Sequence, residues 1–353
     1  MTASTTAPSP PGLPVDIGDI SRELKKLWDD GDAVRSRASL INLAVYSEAP
    51  GSLAANTELI AKITEDHACR AIVIAANPGA EKSRVQAWIS AHCHVGGAGA
   101  RQVCSEQISF LLEGASAVLL PGLVFSQLDS DLPLYLWWQG EFHEPMDPQL
   151  WAWVDRLIYD SQLWSDFAAQ MLRVETAQSE AKQRVVLCDL NWTRLVQVRL
   201  AVAQFFDDPR AQQHLSEIDQ VEIDFASGFH STATLLLGWL AAQLRWSKPA
   251  KSGRHSLTFE DARGKRVAVA LAERAGRPIS RCLLCCGKLS FCVTHPSGHD
   301  LLNVSCATDG ADRMNQLLPA GREDAVELVH EELMRGGPHR VYVRALNCVR
   351  NLL

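Results

Sequence analysis

A mixed α/β fold in two domains is predicted, an N-terminal α/β sandwich and a C-terminal α+β domain whose final third is β-rich. Three features of the sequence point that way. Strand-like apolar runs alternate with helical segments across residues 38–140, the pattern of a layered α/β domain. A polar stretch from Glu175 to Arg184 has the composition of an inter-domain boundary. After the basic, glycine-containing segment Lys248 to Arg254, short β-type runs follow one another. A chain of 353 residues is long enough for two cores. The expected division is a disordered tail over 1–15, a first domain over 16–175 and a second over 185–353.

In chain order, the Ser, Thr, Ala and Pro-rich start, Met1 to Pro14, lacks the basic and apolar blocks of a signal peptide. Ile17, Ile20, Leu24, Leu27 and Trp28 recur at helical spacing, with Asp16 or Asp19 as cap. Leu40 to Tyr46 suits a strand and Glu58 to Ile63 a helix. Cys69 to Ala76 is continuously apolar, as in a strand buried on both faces; Asn77, Pro78 and Gly79 then turn the chain. Val85 to His94 and Val103 to Phe110 predict strands flanking a loop marked by Gly96, Gly97 and Gly99. A helix is expected from Ala115 to Gln127, opened or kinked at Pro121, and another from Pro148 to Leu157. Asn191 to Phe206 and Thr232 to Trp246 predict helices around a strand at Val221 to Phe225. The remaining expected strands are Ser256 to Glu260, Arg266 to Leu271, Ile279 to Cys286, Leu289 to Val293 and Leu302 to Cys306. A helix from Glu323 to Met334 and a last strand from Arg340 to Leu346 complete the chain.

Charge and composition narrow the function classes. A formal net charge of -7 argues against nucleic acid as main partner, because phosphate binding needs a basic face. No apolar run approaches the roughly 18 residues of a membrane span. Ten cysteines without a secretory segment suit a reducing compartment, the cytoplasm, with most thiols free.

Half of the ten tryptophans fall between Trp137 and Trp164. The segment Asp131, Leu132, Pro133 is expected to turn and feed an extended run through Tyr135 to Trp137 and Trp138. Adjacent tryptophans on a strand point to opposite faces. Both rings can be core, or one can anchor the core while the other meets a partner.

Other constellations are weaker. His92, Cys93, His94 and Cys104 have the residue types of a zinc site, but their spacing fits no usual hook. The adjacent glycines match neither nucleotide-binding fingerprint. Asp129, Asp131, Glu141 and Glu144 around a turn suit solvated carboxylates, with paired acid–base work as the sharper alternative. Cys282 and Cys285 have redox spacing, yet on a strand an offset of three places their sulfurs on opposite faces, about 10 Å apart. Cys286 and Cys292 differ, since a hairpin closed by Lys288, Leu289 and Ser290 would set them directly opposite each other. They form a candidate redox pair, with space-filling core cysteines as the plainer reading.

The chain resembles the glucose-6-phosphate dehydrogenase assembly protein family, often called OpcA, of photosynthetic and some other bacteria. The resemblance covers most of residues 35–350. It rests on Arg70, Ala71, Ile72; on Trp88, Ile89, Ser90, Ala91, His92, Cys93; and on Cys104, Ser105, Glu106, Gln107, Ile108. It continues through Asp131, Leu132, Pro133 with Trp137 and Trp138, and Val154 to Ile158 with Asp160 and Ser161. The cysteine-rich hairpin resembles the family's C-terminal part. The resemblance implies a non-enzymatic protein that binds glucose-6-phosphate dehydrogenase, promotes its active oligomer, raises its affinity for substrate and is a target of thioredoxin. On this reading Trp137, Trp138, Tyr135, Asp131 and Pro133 meet the partner, Cys282, Cys285, Cys286 and Cys292 respond to redox state, and no cofactor or metal is needed. The alternative is an enzyme acting on a sugar phosphate through the His92, Cys93, Cys104 region or the carboxylates near Asp131.

Overall fold

A computed structural model of the protein describes residues 11–29, 35–95, 102–114, 119–143, 148–180, 185–250, 256–308 and 311–350. Among them the chain forms two sheets and separates into two compact units. The first unit comprises Met1–Asp160, Ala169–Cys188 and Val329–Gly337; the second comprises Ser161–Ala168, Asp189–Leu328 and Pro338–Leu353. The division therefore does not fall in the polar stretch 175–184. Those residues include the end of a helix, Phe167–Glu180, whose Gln178 side chain donates to the Val185 carbonyl.

The sheet of the first unit is built from β1 (Leu13–Val15), β2 (Arg35–Arg37), β3 (Ile41–Ser47), β4 (Cys69–Asn77), β5 (Arg84–Val95), β6 (Gln102–Glu113), β7 (Leu134–Gln139), β8 (Val154–Tyr159) and β9 (Val186–Asp189). Its order is β1-β5-β6-β4-β3-β7-β8-β9, with β2 also paired to β6. Strands β3, β4, β6, β7 and β8 run parallel, while β5 is antiparallel to β6. The parallel strands are apolar because helices and sheet bury both of their faces; in β4 the run Ala71 to Ala76 is buried throughout. Helix α1 (Ile20–Asp29) lies against β5, with Ile20 and Leu24 buried. Helix α2 (Ser52–Asp66) joins β3 to β4, and α3 (Leu120–Gln127) carries Pro121 in its first turn, where a missing N–H costs no helical hydrogen bond.

Two expectations fail in this unit. Leu13–Val15 is no tail: it pairs antiparallel with Ala87–Ile89 of β5, and Pro14 is tolerated there because an edge strand is bonded on one side only. Residues 1–10, like the glycine-rich loop at 96–101 and Glu144, lie outside the described residues. The helix expected over 148–157 is one turn, α4 (Pro148–Trp151), followed by β8. Val154, Leu157, Ile158 and Tyr159 are fully buried, and burial on two faces erases the alternation that separates a strand from a helix.

The second unit carries β10 (Gln220–Phe225), β11 (Ser247–Ala250), β12 (Ser256–Glu260), β13 (Arg266–Glu273), β14 (Ile279–Cys286), β15 (Leu289–Thr294), β16 (Leu301–Thr308) and β17 (Ala311–Pro319), in the order β11-β12-β13-β10-β14-β15-β16-β17. Only the β10–β13 pairing is parallel among these. The alternation is clean: Val221, Ile223 and Phe225 are buried, whereas Glu222 and Asp224 face outward. Helices α7 (Val196–Gln204) and α9 (His230–Leu244) pack on the apolar face, where Phe205 and Phe206 meet Phe291 at 5.2 and 4.9 Å between ring centroids.

The single helix expected over 191–206 is α6 (Leu190–Arg194) and α7, divided at Leu195. The segment expected as a linker from Lys248 includes the end of β11, and β17 went unforeseen. The last element, expected as a strand, is a helix, α11 (Arg340–Arg350). Tyr342, Ala345, Leu346 and Val349 are buried, which is helical spacing, and the helix packs on α9. Gly238 permits that approach: a Cβ there would stand 2.4 Å from Val349 Cγ2 and 2.8 Å from the Ala345 carbonyl oxygen. Fully buried Asp189 organises this end of the unit, capping α6 at Asn191 N and accepting from the Ser161 hydroxyl at 2.7 Å and the Tyr342 hydroxyl at 2.9 Å.

Candidate functional site: the β7 turn and the cysteine-bearing strand pairs

The turn before β7 forms as its sequence requires, and one side chain holds it. Asn42 on β3 donates to the Asp129 and Leu132 carbonyls at 2.9 Å each, and its own carbonyl accepts from Asp129 N. Asp155 receives the Leu134 amide at 2.8 Å. Asp131 and Pro133 stay exposed at this end.

Along β7 the adjacent tryptophans do face opposite ways. Trp137 is buried, whereas Trp138 is half-buried and stacks on Tyr46 at 4.1 Å and on Phe142 at 5.4 Å. Tyr135 lies under the Arg156 guanidinium at 5.4 Å. Asp131 and Pro133 precede the strand while Trp138 is near its far end, so five residues of β-rise, about 17 Å, separate Pro133 from Trp138. The structure does not gather the five partner-binding candidates into one patch. Beside Trp138 stands Glu48, which accepts from the Tyr46 hydroxyl at 2.6 Å and lies 3.4 Å from His143, while the Asn56–Gln139 amide pair is on the Trp137 face of β7.

The four C-terminal redox candidates lie on β14 and β15 in a register other than the expected one. Cys286 pairs with Leu289, and Cys292 pairs with Leu283. Gly287, at φ 62°, takes the first central position of a two-residue turn with Lys288, a conformation that suits glycine. The hairpin closes one to two residues earlier than expected, which parts Cys286 from Cys292. All four cysteines are free thiols. Cys282 is buried, and its thiol is pushed up to about 12 by burial and then by Cys292. Burial and then Asp219 push Cys286 up to about 12 as well. Burial also raises the thiols of Cys285 and Cys292. Cys285 and Cys292 share the outward face of the sheet as diagonal neighbours, since Cys285 pairs with Ser290.

The cysteines that do face each other are Cys93 and Cys104. They are register partners on β5 and β6, their Cα atoms are 4.1 Å apart, and a disulfide joins them. The flanking histidines point to the other face. His92 meets Gln107 Oε1 at 2.8 Å and His94 meets Thr64 Oγ1 at 3.1 Å; burial lowers the His92 pKa. The His92, Cys93, His94, Cys104 set is thus split between two faces of the sheet.

One rung inward on the disulfide's face sits Glu106, which was not singled out as a functional residue. It is 1% exposed and accepts from Trp28 Nε1 at 2.6 Å, Arg70 Nη1 at 3.0 Å and Arg37 Nε at 3.2 Å. A carboxylate this deep is held by three donors from α1, β4 and β2, as a buried charge requires. Its sequence signal was thin: one Glu in an apolar strand, with arginines distant in the chain.

Residues 60–176 match the family model described as the glucose-6-phosphate dehydrogenase subunit N-terminal domain, and residues 185–346 match the corresponding C-terminal domain. The chain belongs to the glucose-6-phosphate dehydrogenase assembly protein family. Two relatives of the family are OxPP cycle proteins called OpcA. That of Synechococcus elongatus is 25% identical over 364 residues, covering 95% of this chain and 77% of its own length. That of Synechocystis sp. is 30% identical over 230 residues, covering 62% of this chain and 46% of its own length, so the match takes in less than half of that relative. Among solved structures, an aldose-aldose oxidoreductase from Caulobacter crescentus matches with a TM-score of 0.50 at 8% identity, over 88% of this chain and 95% of that one. That likeness concerns the fold alone. No helix among the described residues is long and apolar enough to cross a membrane.

Proposed function

We propose that this chain is a non-catalytic assembly factor and allosteric activator of glucose-6-phosphate dehydrogenase, controlling entry to the oxidative pentose phosphate pathway. The observation that carries this reading is the paired family match, one model on residues 60–176 and the other on 185–346. An activator works by binding the active state of its target more tightly than the inactive one. The half-buried ring of Trp138, stacked between Tyr46 and Phe142, offers the dehydrogenase a rigid aromatic contact with little entropy left to lose. The exposed Asp131 and Pro133 would belong to a separate contact at the other end of β7. Control by thioredoxin through Cys282, Cys285, Cys286 and Cys292 is part of the proposal, with the four standing as free thiols on the β14–β15 hairpin.

The test is kinetic. Purified dehydrogenase is titrated with this chain, and KM for glucose 6-phosphate is measured with the chain oxidised and reduced. A KM that falls with added chain, and no turnover of glucose 6-phosphate by the chain alone, is the expected result. Unchanged dehydrogenase kinetics at saturating chain, or metabolite turnover without the dehydrogenase, would reject the reading.

A further inference from the structure

We infer that the Cys93–Cys104 bond is a redox-active disulfide, opened and closed by exchange with a dithiol, and that its state controls the docking of helix α1. The inference stands apart from the proposed function, since it concerns this chain alone.

Eight of the ten cysteines are free, so the chain has no disulfide framework. A single bond among free thiols is the arrangement of a reversible couple rather than a scaffold. The bond needs no rearrangement to close, because the β5–β6 register already sets the two residues face to face. Only two described rungs lie beyond it, His94 with Val103 and Val95 with Gln102, so opening it frees the end of the strand pair without crossing the core.

Unequal burial sets the direction of the chemistry. Cys104 is fully buried, while Cys93 is partly exposed. A thiolate of the dithiol attacks Cys93 Sγ, forming a mixed disulfide as the Cys93–Cys104 bond breaks and Cys104 leaves as a thiolate. The second thiol of the reductant then attacks its own sulfur in the mixed disulfide and releases Cys93. Two electrons and two protons pass to Cys93 and Cys104, which end as thiols, and the reductant ends as a disulfide. The reverse exchange, with the disulfide form of the same reagent, restores the bond.

The conformational output follows from the next rung. Glu106 shares the face of Cys104 and holds the Trp28 indole at the end of α1 and Arg37 on β2. Arg37 is also the register partner of Cys104. Loosening the β5–β6 end therefore loosens the strand that positions the Glu106 carboxylate, and with it the last turn of α1.

The experiment uses the full chain in buffers of oxidised and reduced dithiothreitol, with light and heavy alkylating reagents and peptide mapping. Under native conditions, reduction is expected to add two alkyl groups, at Cys93 and Cys104, and reoxidation to remove that labelling. Hydrogen exchange in the outer β5–β6 rungs and the last turn of α1 is expected to quicken by at least about tenfold on reduction. A C93S/C104S variant should match the reduced protein in exchange and show no dithiothreitol-dependent change there; a C93A/C104V variant serves if the first does not fold. Full labelling of both residues before reduction, or resistance to dithiothreitol until the protein unfolds, would overturn the redox assignment. Reversible labelling with unchanged exchange in α1 would overturn the control of its docking.

Discussion

Two antiparallel strand pairs, β5–β6 in the first unit and β14–β15 in the second, both carry cysteines, yet only one brings two of them together. In β5–β6 the residues at 93 and 104 are register partners. In β14–β15 four cysteines crowd a short hairpin, and the tight Gly287–Lys288 turn sets each opposite a residue other than cysteine. The number of cysteines in a segment is therefore a poor guide to which will pair. The position of the turn decides, because a shift of one residue moves every side chain to a new partner or a new face. Their chemistry differs as well. Burial holds the β14–β15 thiols above the ordinary range, which starves them of thiolate, whereas Cys93 and Cys104 are already joined in a bond.

The contrast extends to the charges beside each pair, and substitutions there should separate the two regions. Glu106→Ala in the first unit leaves Arg70, only 12% exposed at its side chain, without its carboxylate. Breaking a buried pair costs about 3–5 kcal/mol, read as a fall in the denaturant midpoint at constant slope. The double substitution C93S/C104S should cost less, about 2–4 kcal/mol under oxidising conditions, and nearly nothing extra once both proteins are reduced. Arg281→Ala in the second unit removes a partner from Glu222 and Asp224 on a half-open sheet face. That loss should stay below about 1 kcal/mol. An Arg281 cost equal to that of Glu106 would mean that the β14–β15 face is covered in solution.

The smallest expected effect is on pH. Burial lowers the pKa of His67, His92 and His295, with His330 adding to the effect at His67. A histidine depressed by folding takes up its proton first in the unfolded chain. Its stabilising contribution is whole above the ordinary value of about 6.5 and is lost as pH falls through that value toward the folded one. Melting temperature should therefore fall from pH 7.5 to 5.5. His92→Gln, which keeps a hydrogen-bonding group toward Gln107, should make that slope shallower.

Much of the architecture was legible from residue pattern. Strands β3, β4, β5 and β14 fell within a residue of their expected limits, because apolar or alternating runs bounded by turn residues leave little choice. The failures have physical causes. The buried parallel strand β8 shows no alternation, and α11 is disguised by β-branched Val341, Val343 and Val349, although its buried positions follow helical spacing. The strand after Pro10 and Pro11 hides at a sheet edge, where prolines are allowed. The Cys93–Cys104 pair was within reach: two expected strands flanked a glycine loop, and counting outward from its centre sets 93 against 104. The Cys286–Cys292 expectation fails because it centres the turn on Leu289, whereas the chain turns at Gly287–Lys288. Glu106, with partners from distant parts of the chain, had no local signature.

What this protein does with its aromatic edge and its thiols depends on whether it assembles the dehydrogenase. Analytical ultracentrifugation of glucose-6-phosphate dehydrogenase, alone and with the chain in excess, measures that directly. A boundary containing both proteins, with the dehydrogenase shifted to its larger oligomer, is the predicted result. Two independent boundaries at their separate sedimentation coefficients, under both oxidising and reducing conditions, would contradict it.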